Sequence, residues 1–125
     1  MGDLFANLAL GFGTVLQFVP VDIPGIGTVP LPLNILLCFV GCLVGTLVGV
    51  LPGVGPVASI AMLLPITFKF DPVGALIMLA GIYYGAQYGG STTAILVNIP
   101  GEATSVVTTL DGHQMARKGR AGVAL

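Results

Sequence analysis

Charged side chains vanish from two long stretches of this sequence, and the stretches are themselves patterned. Asp22 and Lys69 are separated by 46 residues without an Asp, Glu, Lys or Arg, and Asp71 and Glu102 by 30. Each run exceeds the roughly 20 apolar residues that cross a bilayer as a helix. Residues 33–51 (LNILLCFVGCLVGTLVGVL) predict the cleanest transmembrane helix, about 28 Å long and close to the hydrocarbon thickness. Residues 73–90 (VGALIMLAGIYYGAQYGG) predict a second full-length helix.

Between these helices the pattern breaks. Pro52-Gly53-Val54-Gly55-Pro56 ends the first, because proline removes a backbone donor and blocks continuation. The apolar residues 57–66, interrupted by Pro65, are too few to span and predict a half-helix or re-entrant arm. A turn follows at 66–72, carrying Lys69 and Asp71. Residues 91–100 (STTAILVNIP) repeat the theme as a short apolar segment between Gly89-Gly90 and Pro100-Gly101. Near the N-terminus, residues 4–19 form an apolar segment with Asn7 and Gln17 inside, suited to an interfacial helix or the start of a tilted span. Residues 20–32 hold Pro20, Pro24, Pro30, Pro32, Gly25 and Gly27 and predict an irregular connector.

The expected fold is therefore an all-α membrane protein, with transmembrane helices alternating with short Gly/Pro-broken half-helices, or re-entrant arms. Residues 1–32 form an N-terminal amphipathic, interfacial segment and its Pro/Gly connector. Residues 33–125 form an incomplete transmembrane domain. Beyond Glu102 the chain turns polar, with Asp111 and His113 in a loop. It stops at Gly122-Val123-Ala124-Leu125, at the onset of another apolar run, and reads as a piece of a longer protein.

Composition sharpens this picture. Charged residues make up 7% of the 125 positions, against about 25% in an ordinary soluble domain. Hydrophobic residues reach 55% and mean hydropathy is +1.04, which excludes disorder. Nine charged side chains cannot cover the large relative surface of a small soluble globule. The net charge of −1 supplies no basic field for nucleic acid. Arg117, Lys118 and Arg120 cluster after the second apolar block, so residues 111–121 are expected on the cytoplasmic side. Met1-Gly2-Asp3-Leu4 lacks the cationic start of a cleaved signal peptide.

Two glycine ladders stand out. Gly41, Gly45, Gly49 and Gly53 recur every four residues, as do Gly81, Gly85 and Gly89. That spacing aligns them on one helix face, where another backbone can approach closely in lipid. The ladders read as static packing or as contact between moving helices. Tyr84, Gln87, Tyr88 and Ser91 share another face of the second helix, followed by Thr92, Thr93 and Asn98. These polar groups read as interhelical hydrogen-bonding partners or as the lining of a ligand site.

Helices broken at membrane depth turn free N–H groups toward anions and free carbonyls toward cations, and paired Gly/Pro-interrupted segments point to a transporter site. Pro52-Gly53-Val54-Gly55-Pro56 and Gly89-Gly90-Ser91-Thr92-Thr93 both fit such breaks. The plainer reading is two tight connectors in the headgroup zone. The candidate substrate-binding residues are Pro52, Gly53, Gly55, Gln87, Gly89, Gly90, Ser91, Thr92, Thr93, Asn98, Pro100 and Gly101. Glu102 reads as a ligand or ion contact, or as a solvated boundary. Cys38 and Cys42 lack the further ligands zinc requires. No nucleophile elbow, P-loop or HExxH pattern occurs, so neither catalytic residues nor a metal site are expected.

Residues 45–56 (GTLVGVLPGVGP), 81–102 (GIYYGAQYGGSTTAILVNIPGE) and 110–125 (LDGHQMARKGRAGVAL) resemble the large permease subunit of tripartite tricarboxylate transporters. The resemblance covers residues 33–125. It implies a multi-pass protein of the bacterial inner membrane that works with a small membrane subunit and a periplasmic solute-binding protein. It also implies import of tricarboxylates such as citrate, or related carboxylates, coupled to Na⁺ or H⁺ and needing no cofactor. Pro52, Gly53, Gly55 and residues 89–93 fall on the family's motifs. The rival expectations are a non-transporting membrane scaffold packed through its glycine ladders and a nonfunctional truncated remnant. An enzyme built on Asp111 and His113 is a poor third.

Overall fold

The computed structural model describes residues 1–125 as six α-helices and one β-hairpin. Helix α1, Gly2–Val15, buries none of its residues. Strands β1 (Val19–Ile23) and β2 (Gly27–Leu31) pair antiparallel with Val21 opposite Val29. Helices α2 (Leu33–Gly49), α3 (Gly55–Thr67) and α4 (Pro72–Val97) follow. A short 3-10 turn, Ala103–Ser105, leads into α5 (Val106–Arg117) and the single-turn α6 (Ala121–Ala124).

The hairpin corrects the expectation of an irregular connector at 20–32. Pro20 sits opposite Pro30, so the two residues lacking N–H groups share a ladder position where none is donated. In a two-stranded ribbon both strands are edges, which is where proline is tolerated. The alternation Val19, Val21, Ile23 on one strand and Val29, Leu31 on the other puts the half-buried side chains on one face.

The centre of the structure is the contact between α2 and α4. Gly41 lies against the Met78 carbonyl, Gly45 against that of Ile82 and Gly49 against that of Ala86. In return Gly81 faces the Cys38 carbonyl, Gly85 that of Cys42 and Gly89 that of Thr46. A Cβ on Gly81 would stand 2.6 Å from the Cys38 oxygen, and one on Gly89 2.5 Å from the Thr46 oxygen. Real Cβ atoms do not come that close to backbone, so no side chain fits along this seam. Beside it Leu37, Met78 and Ile82 form the core, flanked by half-buried Ile60 and Leu63 from α3 and by Phe70.

As the glycine position advances along α2, its partner advances equally along α4, so the two helices run parallel. A re-entrant arm would return the chain to the side it had left and set the next helix antiparallel to α2. The parallel pair requires instead that α3 recross the layer α2 occupies, from the level of Gly49 to that of Gly74, which abuts Leu37. Thirteen residues reach roughly 20 Å, and the 68–71 turn completes the return. The re-entrant arm expected at 57–66 is thus a return helix, and Pro65 is accommodated within it.

The break expected at Pro52–Pro56 is present, but the second expected break, at Gly89-Gly90, is absent. Helix α4 continues through Gly89-Gly90 to Val97 and ends at Asn98, whose φ of 62° is left-handed. Two interior glycines each cost about 1 kcal/mol of helix propensity, and close contact offsets this: Gly89 meets Thr46 and Gly90 faces Gly101. No proline interrupts this stretch, so the hydrogen-bond ladder stays intact. Asp111 and His113 lie in α5 and not in a loop. His113 Nδ1 stands 3.1 Å from the Ile95 carbonyl, where its N–H form caps the last turn of α4.

No helix is long and apolar enough to cross a membrane. Helix α2 is apolar but has 17 residues, while the 26 residues of α4 include three tyrosines, Gln87 and three hydroxyl residues. Only 23 of 125 residues are buried, so most large apolar side chains, Phe5, Phe39, Leu47 and Phe68 among them, face outward. Gly85→Ala is expected to destabilise the detergent-extracted protein by about 1–3 kcal/mol, as overpacking does. Gly122→Ala, whose added methyl meets nothing within 4 Å, should leave the melting temperature unchanged.

Candidate functional site

The α2–α4 seam ends at a junction where three segments meet. Helix α2 stops at Gly49, and the 50–54 turn carries Pro52 and Gly53 before α3 begins at Gly55. Gly53 (φ 84°) and Gly55 (φ 60°) both lie in the left-handed region, where a side chain is strained. The chain leaving α4 at Asn98 folds back across this turn, and the Gly53 N–H donates to the Gly101 carbonyl at 3.1 Å. A Cβ on Gly101 would sit 2.5 Å from the Gly90 Cα. Thr93 completes the junction: its hydroxyl donates to the Val50 carbonyl at 2.6 Å, with the Gly89 carbonyl at 3.2 Å. Val50 O is one of the carbonyls orphaned at the end of α2, and α4 caps it.

Of the residues singled out from the sequence, Pro52, Gly53, Gly55, Gly89, Gly90, Thr93, Pro100 and Gly101 come together here. The others make none of the junction's hydrogen bonds. Gln87 donates to the Tyr83 hydroxyl at 3.2 Å, and the Thr92 hydroxyl donates to the Tyr88 carbonyl at 2.9 Å within its own helix. Asn98 is exposed at the α4 terminus, and Ser91 is half-buried. Tyr84 and Tyr88 face outward, 71% and 55% exposed.

The unbroken α4 changes which groups are free to act. Amides inside a helix are engaged by its own carbonyls, so residues 89–93 offer no loose backbone donors. Thr92 and Thr93 already donate their single hydroxyl hydrogens, which leaves Ser91 as the uncommitted hydroxyl of the three. Free backbone N–H groups belong instead to the first turn of α3, which no side chain caps. The junction is closed. The two surface depressions lie elsewhere, one along α1 at Leu8, Gly11 and Phe12, the other at Gln114, Arg117 and Lys118.

The residue left out of the sequence-derived set is Glu102. Its Cβ lies 3.4 Å from the position of a Cβ on Gly55, with Oε2 at 3.9 Å. The sequence signal was its place directly after Pro100-Gly101, as the only charge adjoining either Gly/Pro motif.

Charge-free helices seamed by glycine are what helices packing against one another in lipid build. The chain belongs to the tripartite tricarboxylate transporter TctA family, whose model matches residues 35–125. Over all 125 residues it is 66% identical to an uncharacterized 52.8 kDa protein in the TAR-I ttuC' 3'region of Agrobacterium vitis, of which it covers 22%. The chain thus spans less than a quarter of the length of the curated relative it matches. No solved structure matches.

Thr93→Val is expected to lower stability by about 1 kcal/mol, the value of one hydrogen bond, because it uncaps Val50. Thr92→Val, which loses only a bond within its own helix, should stay within about 0.5 kcal/mol. Chemical or thermal unfolding of the two variants side by side checks the difference.

Proposed function

We propose that this chain is the N-terminal part of a membrane-embedded transporter subunit that imports tricarboxylates or related carboxylates, driven by a coupled cation. In this reading it spans the bacterial inner membrane several times, joins a small membrane subunit, and receives substrate from a periplasmic binding protein. The observation that carries the reading is the meeting of the 52–55 and 89–101 motifs at one junction, within the span that the family model matches. Residues 1–32 form the interfacial segment, and residues 33–125 belong to the permease domain.

The substrate carboxylates are attracted without a buried Lys or Arg, since neither occurs between Asp22 and Lys69 or between Asp71 and Glu102. The uncapped start of α3 provides N–H groups and the positive end of a helix dipole. Ser91 provides the hydroxyl that is free to donate, and Thr92 joins it by releasing its bond to Tyr88. Because the junction is closed, the remaining walls come from other parts of the full-length protein. Opening and closing at the junction then shifts the population between outward- and inward-facing states.

Uptake of labelled citrate by cells carrying the full-length protein and its partners tests this reading. Ser91→Ala with Thr92→Val should raise the half-saturating concentration roughly ten- to a hundredfold, as expected for lost hydrogen bonds to a charged ligand. Thr93 stays intact in this experiment because it also supports the turn. Unchanged uptake would remove the site. Loss of uptake on ladder substitution alone, with the hydroxyls freely replaceable, would favour a scaffold.

A further inference from the structure

Every buried polar side-chain atom in the chain has a hydrogen-bond partner except one, Oε1 of Glu102. The contrast is sharp. Buried Asn34 donates to the Thr14 carbonyl, Ser59 to that of Gly55, Thr67 to that of Leu64, Thr93 to that of Val50 and Ser105 to that of Glu102. The Glu102 backbone is itself engaged, its N–H donating to the Ser105 hydroxyl at 3.1 Å. The Glu102 side chain in turn accepts from the Ser105 N–H in a capping box, which leaves Oε1 as the one carboxylate oxygen without a donor.

No side chain supplies Oε1 with a donor either. Neither the 50–54 turn nor α3 carries a titratable side chain. Those of α4 are Tyr83, Tyr84 and Tyr88, and those of α5 are Asp111, His113 and Arg117, with His113 held on Ile95. None is bonded to Oε1. On the Gly55 side lie two oxygens. The Gly101 carbonyl is 4.0 Å from the position a Gly55 Cβ would take, and Glu102 Oε2 is 3.9 Å from the same point. A carboxylate oxygen shut away from water and donors is costly, and a small cation removes that cost.

We propose that Glu102 is the seat of a monovalent cation, Na⁺, at the junction of the 50–54 turn, α3 and the 98–102 segment. The proposal rests on the transporter reading for its purpose, since it identifies the residue through which a cation would be coupled to carboxylate uptake. Glu102 follows Gly101, and Gly101 packs on Gly90, next to Ser91. A bare carboxylate there repels an anionic substrate, and a neutralised one does not. Cation and carboxylate therefore raise each other's affinity, as linkage requires.

The test uses the full-length protein purified in detergent. Its melting temperature is followed against NaCl at constant ionic strength with choline chloride. Wild type is expected to be stabilised by Na⁺. Glu102→Gln should lose that response. If Glu102→Gln cannot be purified, Glu102→Asp should keep the response with its midpoint moved at least tenfold in Na⁺. No response in wild type, an undiminished response in Glu102→Gln, or an unmoved midpoint in Glu102→Asp overturns the proposal. Citrate uptake is scored separately: a Glu102-dependent cation response without uptake retires the transport reading alone, and uptake without that response retires the cation site alone.

Discussion

The rest of the structure depends on how closely two backbones can lie. Helices α2 and α4 meet glycine against carbonyl at six successive places, from Gly41 on Met78 to Gly89 on Thr46. Apolar side chains gain little by leaving lipid for a helix interface, because the lipid tails are equally apolar. Close van der Waals contact has to hold the pair, and glycine maximises it. The consequence is a fixed register. With the seam occupied by backbone there is no side chain to change rotamer, so a shift of one helix along the other meets the next carbonyl.

From that register the junction follows. Placing Gly89 on Thr46 brings Thr93 to the final carbonyl of α2 and presents Gly90 to whatever comes next. The returning segment fills the space with Gly101, and its carbonyl accepts the Gly53 N–H. The turn after α2, the late part of α4 and the 98–102 segment are therefore coupled through three small contacts. Displacing any of them loosens the others. A junction of this kind suits a state change, because its contacts are few, local and free of large side chains.

Much of this was legible in the sequence, and the parts that were not have identifiable reasons. The ladders announced the seam, since a four-residue glycine period has little other use in an apolar helix. Pro52 and Pro56 announced the turn because proline cannot remain mid-helix without cost. Gly89-Gly90 was misleading: glycine weakens a helix by propensity alone, and tertiary contact with Thr46 and Gly101 restores what propensity lost. The direction of α4 was invisible, because a short apolar segment reads equally as an arm that turns back and as a helix that recrosses the layer. The hairpin at 19–31 was hidden by its prolines, which read as breakers until Pro20 and Pro30 are seen facing each other. For the site, the sequence marked the segments that meet, but it assigned donors to residues 89–93 that the intact helix keeps for itself.

That last difference relocates the chemistry. If α4 had broken at Gly89-Gly90, its second half would have aimed a helix N-terminus at the junction, giving two positive dipole ends there. The unbroken helix leaves one, at the start of α3, and points the C-terminal carbonyls of α4 toward α5, where His113 meets one of them. An anion drawn to the α3 terminus alone is held weakly, and the nearest full charge, Glu102, opposes it. Under the carboxylate transport proposed above, attraction and opposition side by side would make binding conditional on whatever neutralises the carboxylate. A site built from backbone dipoles can be switched in this way because it has no strong fixed positive charge. A buried Arg would hold a carboxylate whether or not a cation was present.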